Sequence, residues 1–122
     1  MIKVLWKTFY FDAAHKLDNY EGKCKFLHGH QWRADVGIIG NVQSEGNCEG
    51  MIIDFSELKK IMNVVIDKLD HHYLNDIISN PTAENIIDFL QNEIEGILPE
   101  NLILYGLNLY ESPDSHIELI NI

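Results

Sequence analysis

Long apolar runs are missing from this chain. No stretch approaches the roughly 20 residues that a membrane-spanning helix needs, so no membrane segment is predicted. The opening Met1-Ile-Lys-Val-Leu-Trp-Lys7 reads as a strand; it lacks the cleavage site and the longer apolar stretch of a signal peptide. Cysteine is scarce, with two residues in the chain. Without a secretion signal, that number predicts a reducing, cytoplasmic compartment rather than a disulfide scaffold. Basic residues are few as well: nine Lys and Arg stand against nineteen Asp and Glu, for a formal net charge of −10. Such a balance opposes non-specific nucleic-acid binding, which draws on lysine and arginine against phosphate, and docking on an anionic membrane. Low-complexity stretches, Pro-rich or Ser-rich linkers and internal repeats are also absent, so residues 1–122 read as a single domain. At 46% hydrophobic residues, that domain can build one core, burying about two-thirds of the surface its unfolded chain exposes.

The apolar pattern runs strand, strand, helix, helix, strand, strand. Residues 2–12 are rich in aromatic and β-branched types, as strands are. Residues 28–40 form a second strand, with Trp32, Ala34, Val36 and Ile38 on one face and His28 and His30 ahead of them on that face. A loop rich in Gly, Asn, Ser and Glu follows from Gly40 to Gly50. Phe55, Leu58, Ile61, Met62, Val65, Ile66 and Leu69 make one helical stripe over 55–69. Asp54 and Glu57 resemble a capping box at its start. A second helix is predicted over 83–97, with Thr82 as its N-cap. The last strands are expected at 101–111 and 116–122, joined by a turn at Ser112-Pro113-Asp114. Because the helices follow one another, the expected fold class is α+β, an antiparallel sheet with both helices on one face.

The chemistry concentrates in Cys24-Lys-Phe-Leu-His28-Gly-His30, with His15 upstream. On a strand, i and i+2 share a face with alpha carbons roughly 6–7 Å apart, so His28 and His30 can reach one metal ion. A third imidazole from a neighbouring strand leaves a fourth position open, as in catalytic zinc sites. Zinc suits imidazoles and needs no redox chemistry. Cys24 has two readings, a closing fourth ligand or a free thiol. Lys16, Lys23 and Lys25 lie near it in sequence. They form a solvated loop, or a positive field that attracts an anionic substrate and favours the thiolate. Cys48 has no such surroundings. In Leu69-Asp-His-His-Tyr-Leu-Asn75, Asp70 can orient a neighbouring imidazole, with His71 and His72 both eligible as the proton carrier. Glu111, at a strand end, is either solvated or an acceptor for a ligand with adjacent N–H donors.

Together with Phe11-Asp-Ala-Ala-His15, Gly50-Met-Ile-Ile-Asp54-Phe55 and Pro81-Thr82-Ala-Glu84-Asn85, these motifs span nearly the whole chain. The chain resembles the 6-pyruvoyltetrahydropterin synthase and 6-carboxytetrahydropterin synthase family. The resemblance implies a T-fold, a four-stranded antiparallel sheet with two helices on one side in ββααββ order. It further implies trimers closing into a barrel, paired as a homohexamer with sites shared between subunits. It makes His15, His28 and His30 the zinc ligands, Cys24 the general base, and Asp70 with His71 the proton-donating pair. Glu111 and Thr82 become substrate contacts, with Glu111 holding the pterin ring. The implied substrate is 7,8-dihydroneopterin triphosphate. The short spacing from Cys24 to His28 resembles the bacterial carboxy-type enzymes. The implied product is therefore 6-carboxy-5,6,7,8-tetrahydropterin, with acetaldehyde and triphosphate released toward queuosine. The alternatives are a pyruvoyl product that keeps the side chain, a cysteine hydrolase built on Cys24, His71 and Asp70, and a non-catalytic zinc-stabilised pterin-binding module.

Overall fold

The computed structural model describes residues 1–22 and 25–122. Cys24, the expected general base, and Lys23 lie outside the described residues. The elements are β1 (Leu5–His15), β2 (His28–Gly40), α1 (Phe55–Ile66), β3 (His72–Tyr73), a 3-10 turn (Leu74–Asp76), α2 (Ala83–Ile97), β4 (Leu102–Ser112) and β5 (Ser115–Ile120). The sheet order is β3-β1-β2-β4-β5. The four long strands expected from sequence are there, paired antiparallel throughout. The fifth strand is an addition: β3 pairs in parallel with β1 through Ala13↔His72 and Ala14↔Tyr73.

Alternation decides which side is covered. Phe9, Phe11 and Ala13 of β1 and Trp32, Ala34, Val36 and Ile38 of β2 are buried against the helices, and the side chains between them point the other way. The helices answer with Leu58, Met62, Val65 and Ile66 of α1 and Ile86, Ile87, Leu90 and Ile94 of α2. Helix α1 ends at Ile66, short of the predicted 69, because the chain tightens into bonds from Lys68 N–H to Val65 O and Leu69 N–H to Ile66 O. Leu69 stays fully buried, so the apolar stripe outlasts the helix. Asp54 caps α1 by accepting from Ser56 N, and Thr82 caps α2 by accepting from Asn85 N.

Two irregularities in β4 set which way its side chains point. Its register against β2 shifts between Gly37↔Gly106 and Ile38↔Leu104, leaving Tyr105 as an extra residue. Against β5 it shifts between Tyr110↔His116 and Ser112↔Ser115, leaving Glu111 unpaired. Each extra residue in a bulge reverses the alternation beyond it. Leu102 and Leu104 before the first bulge and Leu107 and Leu109 after it are therefore all buried.

Candidate metal centre and acid–base pair

His15 and His28 face each other across β1 and β2 as a register pair, and Ala13 opposite His30 puts the third ring one step along. All three continue the buried parity of their strands, so the rings gather on the helix side, just past the hydrophobic core. His15 is the deepest, with 1% of its surface exposed. Trp32 walls the cluster, its ring centroid 5.1 Å from that of His15 and 5.4 Å from that of His30. Its indole N–H donates to Ala13 O at 3.2 Å.

The outer nitrogens of two rings are committed. His15 Nδ1 lies 2.8 Å from Pro81 O, and His28 Nδ1 lies 2.6 Å from Phe26 O. A carbonyl only accepts, so each Nδ1 carries the proton and, in the neutral ring, each Nε2 keeps a lone pair. Those two Nε2 atoms are 2.9 Å apart. Two lone pairs at that spacing require a positive charge between them, a shared proton or a metal ion. Among the described residues, His30 Nε2 is buried with no hydrogen-bond partner. Glu111 Oε1 comes within 2.9 Å of it, close enough to attract but outside the alignment of a hydrogen bond. Burial lowers the His30 pKa from its ordinary value, against the opposing pull of Glu111, which favours the neutral imidazole that a metal needs. An orphaned buried nitrogen, tautomers fixed for inward lone pairs and a neutral-imidazole donor set all fit a zinc ion.

Glu111, which the resemblance makes a substrate contact, also reaches the histidine cluster. Its Oε1 lies 3.5 Å from His15 Nε2 and 4.0 Å from His28 Nε2, and it forms with the three histidines one group able to hold a cation.

A second cluster joins Asp12, Asp70 and His71. Asp70 Oδ1 accepts from the Asp12 backbone N–H at 2.8 Å, and Asp70 Oδ2 lies 3.0 Å from His71 Nδ1. The Asp12 amide, then the His71 ring, holds the Asp70 carboxyl below the usual carboxylate range. Spacing left His71 and His72 equivalent, but the geometry separates them: His72 Nδ1 turns to the Asp70 backbone carbonyl at 2.8 Å. His71 adopts a left-handed φ of 59°, which costs a non-glycine residue about 1–2 kcal/mol. A bond from His71 N–H to Asp12 O at 2.6 Å holds it there. Its ring is 77% exposed, presented outward rather than packed.

Two sequence motifs support the site from behind. Pro81 orients His15 through its carbonyl. Thr82 spends its oxygen on the α2 cap. Asn75 grips the residue after His15: Lys16 N–H donates to Asn75 Oδ1 at 3.0 Å, and Asn75 Nδ2 donates to Lys16 O at 2.8 Å. Of the lysines read as a positive field, Lys16 pairs with Asp18 at 3.2 Å, which offsets its charge. Cys48 is half-buried and free. The Gly40–Gly50 loop is tied to its own far end by Gln43 N–H to Met51 O and Gly50 N–H to Gln43 O. No helix is long and apolar enough to cross a membrane among the described residues.

Residues 4–120 match the family model described as 6-pyruvoyl tetrahydropterin synthase. A 6-carboxy-5,6,7,8-tetrahydropterin synthase of Haemophilus influenzae is 33% identical over 92% of this chain and 94% of its own. A dihydroneopterin monophosphate aldolase of Pyrococcus furiosus is 37% identical over 89% of this chain and 90% of its own. Among solved structures, the Caenorhabditis elegans 6-pyruvoyl tetrahydropterin synthase superposes with a TM-score of 0.86 at 24% identity, covering 100% of this chain and 97% of that one. That likeness bears on the fold, which is the expected T-fold with one short strand added.

Proposed function

The chain belongs to the 6-pyruvoyl tetrahydropterin synthase family, and from that footing we propose a zinc-dependent lyase. It converts 7,8-dihydroneopterin triphosphate to 6-carboxy-5,6,7,8-tetrahydropterin, with release of acetaldehyde and triphosphate. A pterin-processing lyase is the coarser statement that the relatives carry, most of them being named 6-carboxy-5,6,7,8-tetrahydropterin synthase. The single observation behind the zinc reading is the convergence of ring nitrogens: His15 and His28 Nε2 at 2.9 Å, and a buried His30 Nε2 with no hydrogen-bond partner among the described residues.

His15, His28 and His30 would hold the ion. Bound zinc supplies Lewis acidity that makes C–H protons next to a ligated oxygen easier to remove. The remaining roles fall to the chain's own groups. Cys24, as thiolate, removes a proton. His71 returns one, with Asp70 orienting its ring and stabilising the charged form. Glu111 accepts adjacent N–H donors of the pterin ring. One lone pair of the Thr82 oxygen is engaged by Asn85 N–H, which leaves its hydroxyl proton and second lone pair for the substrate. A homohexamer built from trimeric barrels belongs to the same proposal. Tyr10 on the uncovered sheet face is 58% exposed, and barrel closure would cover that face and pair the open edges.

Incubation of zinc-loaded protein with dihydroneopterin triphosphate, followed by mass analysis, tests the reading. A carboxypterin with acetaldehyde supports it, and chelation should then abolish turnover. A retained three-carbon side chain selects the pyruvoyl reaction; pterin bound without turnover selects a binding module. The Pyrococcus furiosus relative favours one further reading, an aldolase acting on dihydroneopterin monophosphate. A parallel incubation separates the two, since turnover of the monophosphate with none of the triphosphate would overturn the first.

A further inference from the structure

A carboxylate whose only task is to receive a ligand's N–H groups should present its oxygens to open space. Glu111 instead turns Oε1 into the histidine cluster. Four donor spacings are 2.9 Å for His15 to His28, 2.9 Å for His30 to Glu111, 3.5 Å for His15 to Glu111 and 4.0 Å for His28 to Glu111. Four donors held at zinc bond lengths of about 2.0–2.2 Å and tetrahedral angles stand roughly 3.3–3.6 Å apart. The observed spacings bracket that range, and Glu111 satisfies it as well as the histidines do.

The four donors differ in how firmly they are held. His15 is pinned by Pro81 O and His28 by Phe26 O. Glu111 sits in the second bulge of β4, unpaired with β5, with 28% of its side chain exposed. Bulges beside sites re-aim side chains, and of the four donors Glu111 alone has no backbone register partner among the described residues. A four-donor site is closed, whereas catalysis needs an open position.

We propose that Glu111 is the fourth ligand of the resting metal centre and that it is displaced when the substrate enters. The same carboxylate would close the empty site and, once released, accept the N–H groups of the incoming pterin. The exchange balances: one carboxylate leaves the ion as the ligand's oxygens arrive, and no electron is transferred. This rests on the zinc reading above. It goes beyond it by giving Glu111 two partners in succession and by removing the standing vacancy that three histidines alone would leave.

The test compares wild type with Glu111→Gln, using zinc competition against a chromogenic chelator and the visible spectrum of cobalt(II)-loaded protein, with and without saturating neopterin. Even partners one step behind the ligands typically contribute about 10–100-fold to metal affinity. Loss of a direct ligand should therefore weaken zinc by at least about tenfold. The cobalt spectra of the two proteins should differ when empty and coincide with neopterin bound, because Glu111 has then left in wild type. Equal zinc affinity, or identical spectra when empty, overturns the inference and leaves the zinc reading standing. Spectra that still differ with neopterin bound overturn displacement. If wild type binds neither metal, the zinc reading itself falls. Should Glu111→Gln fail to fold, wild type alone decides: a cobalt spectrum that neopterin does not change refutes the exchange.

Discussion

Replacing Asn75 with alanine removes both hydrogen bonds to the Lys16 backbone, at 3.0 and 2.8 Å. The orientation of the amide follows from its partners, since a backbone N–H only donates and a carbonyl only accepts. A net worth of about 0.5–1.5 kcal/mol per bond gives about 1–3 kcal/mol in all. Both residues are half-buried, so water replaces part of what is lost and the lower half of that range applies, about 1–2 kcal/mol. For a chain of this size that lowers Tm by roughly 3–10 °C. Urea and thermal denaturation measure both quantities. Asn75→Asp sharpens the test. It keeps an acceptor for Lys16 N–H but sets a carboxylate oxygen against Lys16 O, so at neutral pH it should destabilise at least as much as alanine. A loss under about 0.5 kcal/mol for alanine, or an aspartate variant as stable as wild type, would refute the idea that this amide holds the end of β1.

Asp70 gives a pH dependence with a definite sign. Its folded-state pKa lies below the ordinary value, so its stabilisation is fully present above the unfolded-state pKa of about 3.9. That contribution is lost as pH falls through the lower folded-state pKa, and Asp70→Asn should flatten the acid limb of a stability–pH curve. Parallel acid limbs for the two proteins would contradict it. Thr82→Ala should cost about 1 kcal/mol through the lost cap on α2, and Thr82→Ser should restore most of it. Substrate affinity measured in Thr82→Asp, which keeps a capping oxygen but has no hydroxyl proton, then separates capping from substrate contact. Zinc at a hundredfold its dissociation constant should add about 2.7 kcal/mol to unfolding, and His15→Ala should abolish that increment. An equal zinc-induced rise in Tm for both proteins would argue against the histidine centre.

Where local signals are strong, the sequence locates elements to the residue. Helix α2 spans Ala83–Ile97 as predicted, because Thr82 caps it and its apolar period is unbroken. Strand β2 spans His28–Gly40 as predicted. Strand β1, expected over 2–12, lies at Leu5–His15, since its ends are set by partners Ile38 and His28 far along the chain. β3 is not legible: two residues carry no period, and the strand exists through its parallel pairing with β1 and the His71 bond to Asp12. In the site, His-x-His spacing is enough to put His28 and His30 on one face, while His15 joins them through a stretch of β1 beyond the predicted 2–12. The backbone acceptors that orient them, Pro81 O and Phe26 O, leave no trace in side-chain identity.

The place of Glu111 is out of reach for a different reason. Strict alternation from the buried Leu102 and Leu104 would send Gly106, Asn108 and Tyr110 inward and turn Leu107, Leu109 and Glu111 to the opposite face. The extra residue Tyr105 reverses that parity, bringing Glu111 beside the histidines. Immediately past the bulge, Gly37 pairs with Gly106. The Trp6 ring covers both, so that a Cβ on Gly37 would meet it at 2.7 Å and one on Gly106 at 3.2 Å. Two glycines and a tryptophan thus flank the kink that decides whether the carboxylate reaches the cluster. A chain with the same histidines and an unbulged β4 would carry Glu111 on the wrong side of the sheet, and His30 Nε2 would lose the one anionic group that approaches it among the described residues.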